Sequence, residues 1–153
     1  PVPIIGVYGN HCQSDYLEEG LNAFNCHLQE FNHQGYSFLG FEGCPFYKGN
    51  EREYTQSQCE ELLKNAPKVD IFLSHSPARG INSAQQSPHE GFKAIREYLE
   101  KYQPKYYFHG HSYPQKELAK SKFNQTIVVY VSGWEVIDLS KLEIDSLPNA
   151  QGY

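Results

Sequence analysis

The feature that most constrains this chain is an alternation of capped helix patterns with short apolar segments in its second half. The first helix pattern begins at a capping box, Thr55–Gln58, and ends before Pro67. Its apolar face is formed by Cys59, Leu62 and Leu63. A helix of this kind must bury its apolar face against another element, which points to a layered fold.

The second helix pattern carries a similar start signal. Ser87 fits an N-cap, Pro88 fits the first helical position, and Glu90 completes a capping box. Its predicted buried face has four apolar positions at helical spacing: Phe92, Ile95, Leu99 and Tyr102. Pro104 follows the end of the pattern.

Short apolar segments of strand length surround the two helices. They are Pro3–Tyr8, Cys26–Phe31, Tyr36–Phe41, Val69–Leu73, Tyr106–Phe108, Thr126–Val131 and Trp134–Leu139. The second and third are joined by a turn at residues 32–35 and predict a hairpin. Helices interleaved with strands predict one α/β domain over residues 1–147, and the tail, Pro148–Tyr153, is expected to be frayed.

Composition excludes several classes of function. The chain has 153 residues, 39% of them hydrophobic, and a net charge of −5 without any Lys/Arg-rich run, so no nucleic-acid footprint is visible. The longest apolar runs, such as Ile127–Val131, are too short to span a membrane, and no secretory signal pattern is present. The four cysteines form no CxxC pair, which predicts reduced thiols and a cytoplasmic location.

Histidines follow the predicted strands at three places: His11, His75 and the pair His109 and His111. Loops beyond strand ends are where layered α/β proteins build their sites. Each cluster taken alone is also compatible with a turn or surface role. Together with the amide of Asn10, however, the imidazoles suit a borderline divalent ion such as zinc, manganese or iron.

The motifs resemble those of calcineurin-like metallophosphoesterases. Gly9-Asn10-His11 resembles the Gly-Asn-His motif of that family, and Ser74–Pro77 resembles its strand-end His motif. Gly110-His111-Ser112 resembles the beginning of its Gly-His-x-His motif. The order is also that of the family. The resemblance implies a layered β-sandwich flanked by helices (αββα), incomplete at its N-terminus, and metal-dependent hydrolysis of phosphate mono- or diesters.

The same resemblance implies roles for single residues. Asn10, His75 and His111 would bind one of two divalent ions (Mn, Fe, Zn or similar), and His11 would act on the phosphate of a small ester or nucleotide substrate. Supporting roles fall on three further residues. His109 would orient the site through a hydrogen bond, Tyr113 is a possible ligand, and Arg79 either reaches a phosphate oxygen or is solvated. His89 is interpreted only as a helix-start residue.

Three departures from the family pattern limit these expectations. The Asp-x-His and Gly-Asp-x-x-Asp motifs, which supply most ligands of the other ion, would precede Gly9 and are not in this sequence. Cys12 stands where an acidic residue is usual, and Tyr113 stands where a second His is usual. Since the chain starts at Pro1 and contains no Met, it is interpreted as a piece whose beginning is missing. We therefore expect weak metal binding, little hydrolysis and aggregation through exposed apolar edges.

Two alternatives remain open. The first is a catalytically inactive member of the family that serves as a binding or regulatory module, which Cys12 and Tyr113 favour. The second is a plain α/β domain with one structural zinc.

Overall fold

The computed structural model describes residues 2–13, 15–20 and 22–153. Its strands are β1 (Ile4–Gly6), β2 (Ala23–Asn25), β3 (Phe31–His33), β4 (Tyr36–Phe41), β5 (Cys44–Pro45), β6 (Glu53–Tyr54), β7 (Ile71–Ser74), β8 (Tyr106–His109), β9 (Lys120–Phe123) and β10 (Thr126–Tyr130). Its α-helices are α1 (Tyr16–Glu19), α2 (Gln56–Leu63) and α3 (Lys93–Tyr102). Short 3₁₀ helices lie at Lys116–Leu118, Leu139–Lys141 and Ile144–Ser146.

The largest sheet formed by the described residues has six strands in the order β3-β4-β7-β8-β10-β9. Its four inner strands are parallel, and each edge strand is antiparallel to its neighbour. Parallel strands end at the same edge of a sheet, so the residues that follow β4, β7, β8 and β10 share one edge, here called the carboxyl rim. With its flanking helices this sheet confirms the predicted α/β class.

A small parallel pair, β1 with β2, lies beside the central sheet. The Gly40 N–H of β4 donates to the Cys26 carbonyl, and the Gly43 N–H donates to the Tyr8 carbonyl. A Cβ at Gly40 would lie 2.4 Å from Val7 Cγ1, so this close approach requires glycine. The chain that leaves β1 is thereby placed next to the carboxyl rim.

Helices α2 and α3 pack on one face of the central sheet. Their shared core comprises Leu39, Phe41, Phe72, Tyr107 and Val128 from the strands and Cys59, Leu63, Ile95, Tyr98 and Leu99 from the helices. Each such side chain contributes about 1.5–3 kcal/mol of burial free energy. Leu62, predicted to face the core, is 43% exposed and lies off the buried stripe of α2.

The opposite face of the sheet is apolar and open. Phe38, Leu73, Phe108 and Val131 line a depression of about 480 Å³ together with Ile137 and Leu139. Segment 131–139 contains no strand in the described structure, so the predicted strand Trp134–Leu139 is wrong. Trp134 and Val136 are 88% and 87% exposed, because this stretch covers the face only through alternate residues.

Helix α3 begins later than its capping signal predicted. Residues 84–89 form a closed turn in which the Ala84 N–H donates to the His89 carbonyl. The chain then passes through Gly91 at φ +73° and pairs Phe92 with Ala78, which makes extended Phe92 the N-cap of α3. The side chain of Glu90 pairs with Arg79 instead of capping the helix.

Three further predictions about the chain need correction. The predicted strand Cys26–Phe31 is wrong except for its last residue, since the first strand of the hairpin is β3. The turn is also tighter than predicted, because Asn32 and His33 belong to β3 and only Gln34 and Gly35, both at positive φ, form it. The tail is not frayed: the Lys122 N–H donates to the Pro148 carbonyl, and the Tyr153 N–H donates to the Ser83 carbonyl. Strand β9, with which the tail pairs, was not foreseen. The domain boundary at residue 147 stays a prediction.

The helices of the described residues are all too short or too polar to pass through a lipid bilayer.

Candidate functional site

Three side chains from distant parts of the sequence meet at the carboxyl rim. Asn10 lies beyond β1, His75 follows β7, and His111 lies just past β8. His75 Nε2 is 2.8 Å from Asn10 Oδ1 and 3.0 Å from His111 Nδ1. The convergence on which the metal-site hypothesis depends is therefore present in the structure, while the role of the three residues as ligands stays a prediction.

The backbone explains this convergence. The His75 N–H donates to the Phe41 carbonyl, and the Gly110 N–H donates to the His75 carbonyl, so the β4, β7 and β8 exits are tied together. A Cβ at Gly9 would lie 2.9 Å from His75 Cε1, so glycine is needed for the His75 ring to pack on the first turn. His111 itself has φ +60°, a left-handed conformation that turns its ring back toward His75.

Burial keeps the two imidazoles neutral. Burial, with smaller contributions from the neighbouring imidazoles of His111 and His11, lowers the pKa of His75 to about 4. Burial likewise lowers the pKa of His111 to about 4, with a smaller contribution from His89. Both rings therefore have an unprotonated nitrogen at neutral pH, which metal coordination requires.

The hydrogen bonding of the cluster is incomplete without a cation. His75 Nε2 faces both Asn10 Oδ1 and His111 Nδ1, yet one ring nitrogen carries at most one hydrogen. In addition, His111 Nε2 is buried without a hydrogen-bond partner among the described residues. Ligands that share one ion through bonds of about 2.0–2.1 Å lie roughly 3 Å apart, which matches the observed spacing. Two neutral imidazoles and an amide oxygen thus fit one borderline divalent ion.

Acidic ligands are not part of this arrangement. Among the described residues, no group of three or more His, Cys, Asp or Glu side chains is placed to hold a metal ion. The cluster above reaches three donors only because Asn10 supplies an amide oxygen. The described site therefore fits one ion, and it does not fit the second ion that the family resemblance implied.

A cleft of about 400 Å³ opens over the cluster. Its lining includes His11, which is exposed, and Tyr113, which is 74% exposed. The position of His11 beside the half-buried cluster is compatible with its predicted action on a bound phosphate. The rings of Tyr113 and His89 meet in a T-shaped contact with their centres 5.9 Å apart, and Tyr113 is largely exposed to solvent.

His89 is the residue that sequence reasoning missed. Its ring centre lies 4.7 Å from that of His111, and it lines the same cleft. The sequence interpretation placed it inside a helix start, where no site role was expected. Its proximity to the cluster depends on the closed turn at residues 84–89, and no local sequence pattern predicts that turn.

His109 and Arg79 lie away from the cluster. His109 is 3% exposed, its Nδ1 donates to the Gly110 carbonyl, and its Nε2 accepts from Asn82 Nδ2. Burial lowers its pKa to about 4, which keeps it neutral in this pairing. Neither bond reaches the three candidate ligands, and the predicted orienting role of His109 stays a prediction. Arg79 is paired with Glu90 and lines a separate depression.

Similarities in sequence and fold to known proteins point to one family. No curated protein is significantly similar to the sequence. A protein of known crystal structure shares the fold with a TM-score of 0.51 at 18% sequence identity, and the match covers 71% of this chain and 45% of the other chain. The chain thus spans less than half of that protein. The sequence profile of the calcineurin-like phosphoesterases matches residues 1–115, which include all three converging side chains, and the chain belongs to that family.

Proposed function

We propose that this chain carries one metal site of a phosphoesterase, in which Asn10, His75 and His111 hold a single divalent ion of the manganese, iron or zinc type. The observation that supports it best is the meeting of two neutral imidazoles and an amide oxygen beneath an open cleft, with His75 Nε2 at 2.8 Å from Asn10 Oδ1 and 3.0 Å from His111 Nδ1. Members of the family hydrolyse phosphoesters, so the proposed reaction is hydrolysis of a phosphate mono- or diester.

When bound, such an ion supplies charge neutralisation for the phosphate and lowers the pKa of a water molecule. Residues of the chain position the phosphate and handle the proton. The three donors fix where the phosphate sits relative to the cleft. His11 is exposed and lines the cleft, and its proposed role is to give a proton to the leaving oxygen of the ester. His89 lies beside His111 and is available to donate a hydrogen bond from its ring N–H to a phosphate oxygen.

Metal titration of the purified chain tests the proposal. Calorimetry with Mn²⁺, Co²⁺ or Zn²⁺ should give one ion per chain, and His75→Ala, His111→Ala and Asn10→Ala should each weaken binding by about tenfold or more. His33→Ala, in the β3–β4 hairpin, is a matched control that should leave the affinity unchanged. Equal affinities in all five proteins would contradict the proposal.

Activity is a separate question. With p-nitrophenyl phosphate and bis-p-nitrophenyl phosphate as substrates, we expect weak turnover that depends on added metal, because the described cleft holds no carboxylate group for a second ion.

The lack of acidic ligands in the described cleft also favours a second candidate, an inactive module that binds a phosphorylated ligand. Such a module would bind inorganic phosphate in the presence of Mn²⁺ and show no metal-dependent turnover. We further propose a reducing, cytoplasmic setting, since Cys12, Cys26, Cys44 and Cys59 are all free thiols.

A further inference from the structure

Arg52 lies outside every motif of the site, yet its side chain reaches the turn that carries Asn10 and His11. Arg52 Nη1 donates to the Cys12 carbonyl at 2.7 Å, and Nη2 bonds to Asp15 at 2.8 Å. The side chain of Arg52 is only 12% exposed. One guanidinium thus holds the chain directly after His11 and again three residues later.

The guanidinium is fixed from the other side as well. Its Nε lies 3.4 Å from Glu42 Oε2, and its plane covers the ring of Tyr8 at 4.5 Å. Tyr8 is itself 1% exposed. The half-buried ion pair with Glu42, the hydrogen bond to exposed Asp15 and the cation–π contact with Tyr8 hold the Arg52 guanidinium from three directions.

The backbone that presents Arg52 is equally restricted. The Cys44 N–H donates to the Arg52 carbonyl, and Gly43 has φ +69°. A Cβ at Gly43 would lie 2.1 Å from that carbonyl oxygen. The close backbone contact between Gly43 and Arg52, which lie toward the two ends of the loop that joins β4 to α2, therefore fixes the position of Arg52.

Among the described residues, few other side chains hold this turn: Asn10 Nδ2 lies 3.4 Å from Tyr47 Oη, and Cys12 Sγ lies 3.7 Å from Tyr16 Oη. The Cys12 N–H donates to the Gly9 carbonyl, and the Gly9 N–H contacts Cys12 Sγ at 3.2 Å, a weak acceptor.

We propose that Arg52 is a positioning residue, which holds the Gly9–Cys12 turn through the Cys12 carbonyl and thereby aims Asn10 at the metal site and His11 at the cleft. Lysine cannot replace it, because one ammonium lacks the fork that reaches the carbonyl and two carboxylates together. The effect on metal binding rests on the proposed function, whereas the grip on the turn does not.

Cys12 provides a probe of the turn. It is half-buried, whereas Cys26, Cys44 and Cys59 are 0% exposed, so a thiol reagent under native conditions should label Cys12 first. The experiment compares the wild type with Arg52→Lys and Arg52→Met. It measures the labelling rate with a disulfide reagent, the labelled site by mass spectrometry, and Mn²⁺ affinity by calorimetry.

We expect both variants to label Cys12 several-fold faster, with the three buried cysteines still unreactive, and to bind Mn²⁺ about tenfold or more weakly. Arg52→Lys keeps the positive charge, so a loss of affinity in that variant is not an electrostatic effect. Asp15→Asn, which leaves the carbonyl contact in place, and Arg96→Lys, which changes an ion pair on α3, should resemble the wild type.

Unchanged labelling and affinity in Arg52→Lys would overturn the proposal, as would faster labelling with unchanged Mn²⁺ affinity. An equal effect of Asp15→Asn would also overturn it, since the ion pair and not the carbonyl contact would then be responsible.

If the wild type binds no Mn²⁺, the proposed function fails, and the labelling rates still decide whether Arg52 holds the turn. Labelling of all four cysteines would signal unfolding, and Asp15→Lys, which repels Arg52 from an exposed position, then serves as the second test with the same expected result.

Discussion

At the scale of single residues, the site depends on small side chains as much as on its histidines. Gly9 has no side chain that could bind a metal ion, so a search for ligand residues passes over it. The His75 ring nevertheless occupies the space that a side chain at position 9 would fill. The sequence made Asn10, His75 and His111 recognisable because each follows an apolar segment at a turn. The steric role of Gly9 could not be predicted, since it depends on which strand exit packs against the first turn.

Gly9→Ala should therefore displace His75. We expect a loss of about 1–3 kcal/mol in the free energy of unfolding, because the new methyl group overpacks the contact, together with weaker Mn²⁺ binding. Gly6→Ala is the matched control, since its Cβ would meet Leu17 at an ordinary 3.5 Å. Chemical denaturation and calorimetry on both variants check this, and equal behaviour of the two would contradict the steric argument.

His89→Ala should separate substrate binding from metal binding. The imidazole faces the cleft beside His111, so its loss should weaken the binding of inorganic phosphate to the Mn²⁺-loaded chain by about tenfold, the effect of losing one hydrogen bond to a charged group. Mn²⁺ affinity should stay within twofold of the wild type. If instead Mn²⁺ affinity falls as far as in His111→Ala, His89 is a ligand or a structural part of the cluster.

At the scale of elements, the two capping boxes show what local sequence can and cannot decide. Thr55 caps α2 as predicted, with both reciprocal bonds of the box present, because every partner lies within four residues. The similar signal at Ser87 did not start α3. There, the pairing of Phe92 with Ala78 and the ion pair of Arg79 with Glu90 outweigh the local preference, and both partners come from the preceding loop.

The loop that joins β4 to α2 depends on a buried carboxylate. Glu53, 7% exposed, accepts from the backbone N–H groups of Tyr47, Lys48 and Gly49. Burial alone would raise the pKa of this carboxyl group, but the three donors outweigh it and lower the pKa to about 2. The folded pKa lies below the unfolded one, so the stabilisation is complete above about pH 4.5 and disappears as pH falls toward 2.

Glu53→Gln should lower the free energy of unfolding by about 2 kcal/mol at pH 7, because charge-assisted bonds to three amides are weakened. The difference from the wild type should shrink steadily between pH 4.5 and pH 2, as the wild-type carboxylate itself becomes protonated. Urea denaturation of both proteins across this pH range measures the difference in their free energies of unfolding. Glu51→Gln, at an exposed neighbouring position, is the control, and a gap that persists unchanged at low pH would rule out this explanation.

At the scale of the whole molecule, the tail joins parts of the fold that are far apart in sequence. It pairs with β9 at Lys122 and with the loop at Asn82 and Ser83, and the Tyr113 N–H donates to the Tyr153 hydroxyl. Sequence alone suggested fraying because the tail has no regular apolar pattern. Its order comes from backbone hydrogen bonds, which leave no trace in side-chain periodicity.

Removal of residues 148–153 should therefore destabilise the domain. Four backbone hydrogen bonds join the tail to Asn82, Ser83 and Lys122, and at about 0.5–1.5 kcal/mol each we expect a loss of roughly 2–6 kcal/mol. Gln151→Ala, which keeps the backbone bonds, should have little effect. Equal stability of the truncated and full chains in urea would contradict this reading of the tail.

Because the inner strands are parallel, the molecule has two different ends, and they differ in how well they tolerate an inserted segment. The side chains proposed to bind metal or phosphate surround one cleft at the carboxyl rim, where those strands finish. The turns at Gln34–Gly35 and Asn124–Gln125 lie where β4 and β10 start, and all four residues are exposed. An affinity tag or surface anchor inserted at either turn would hold the protein with its cleft facing outward, so immobilised material could be assayed without blocking access to the cleft.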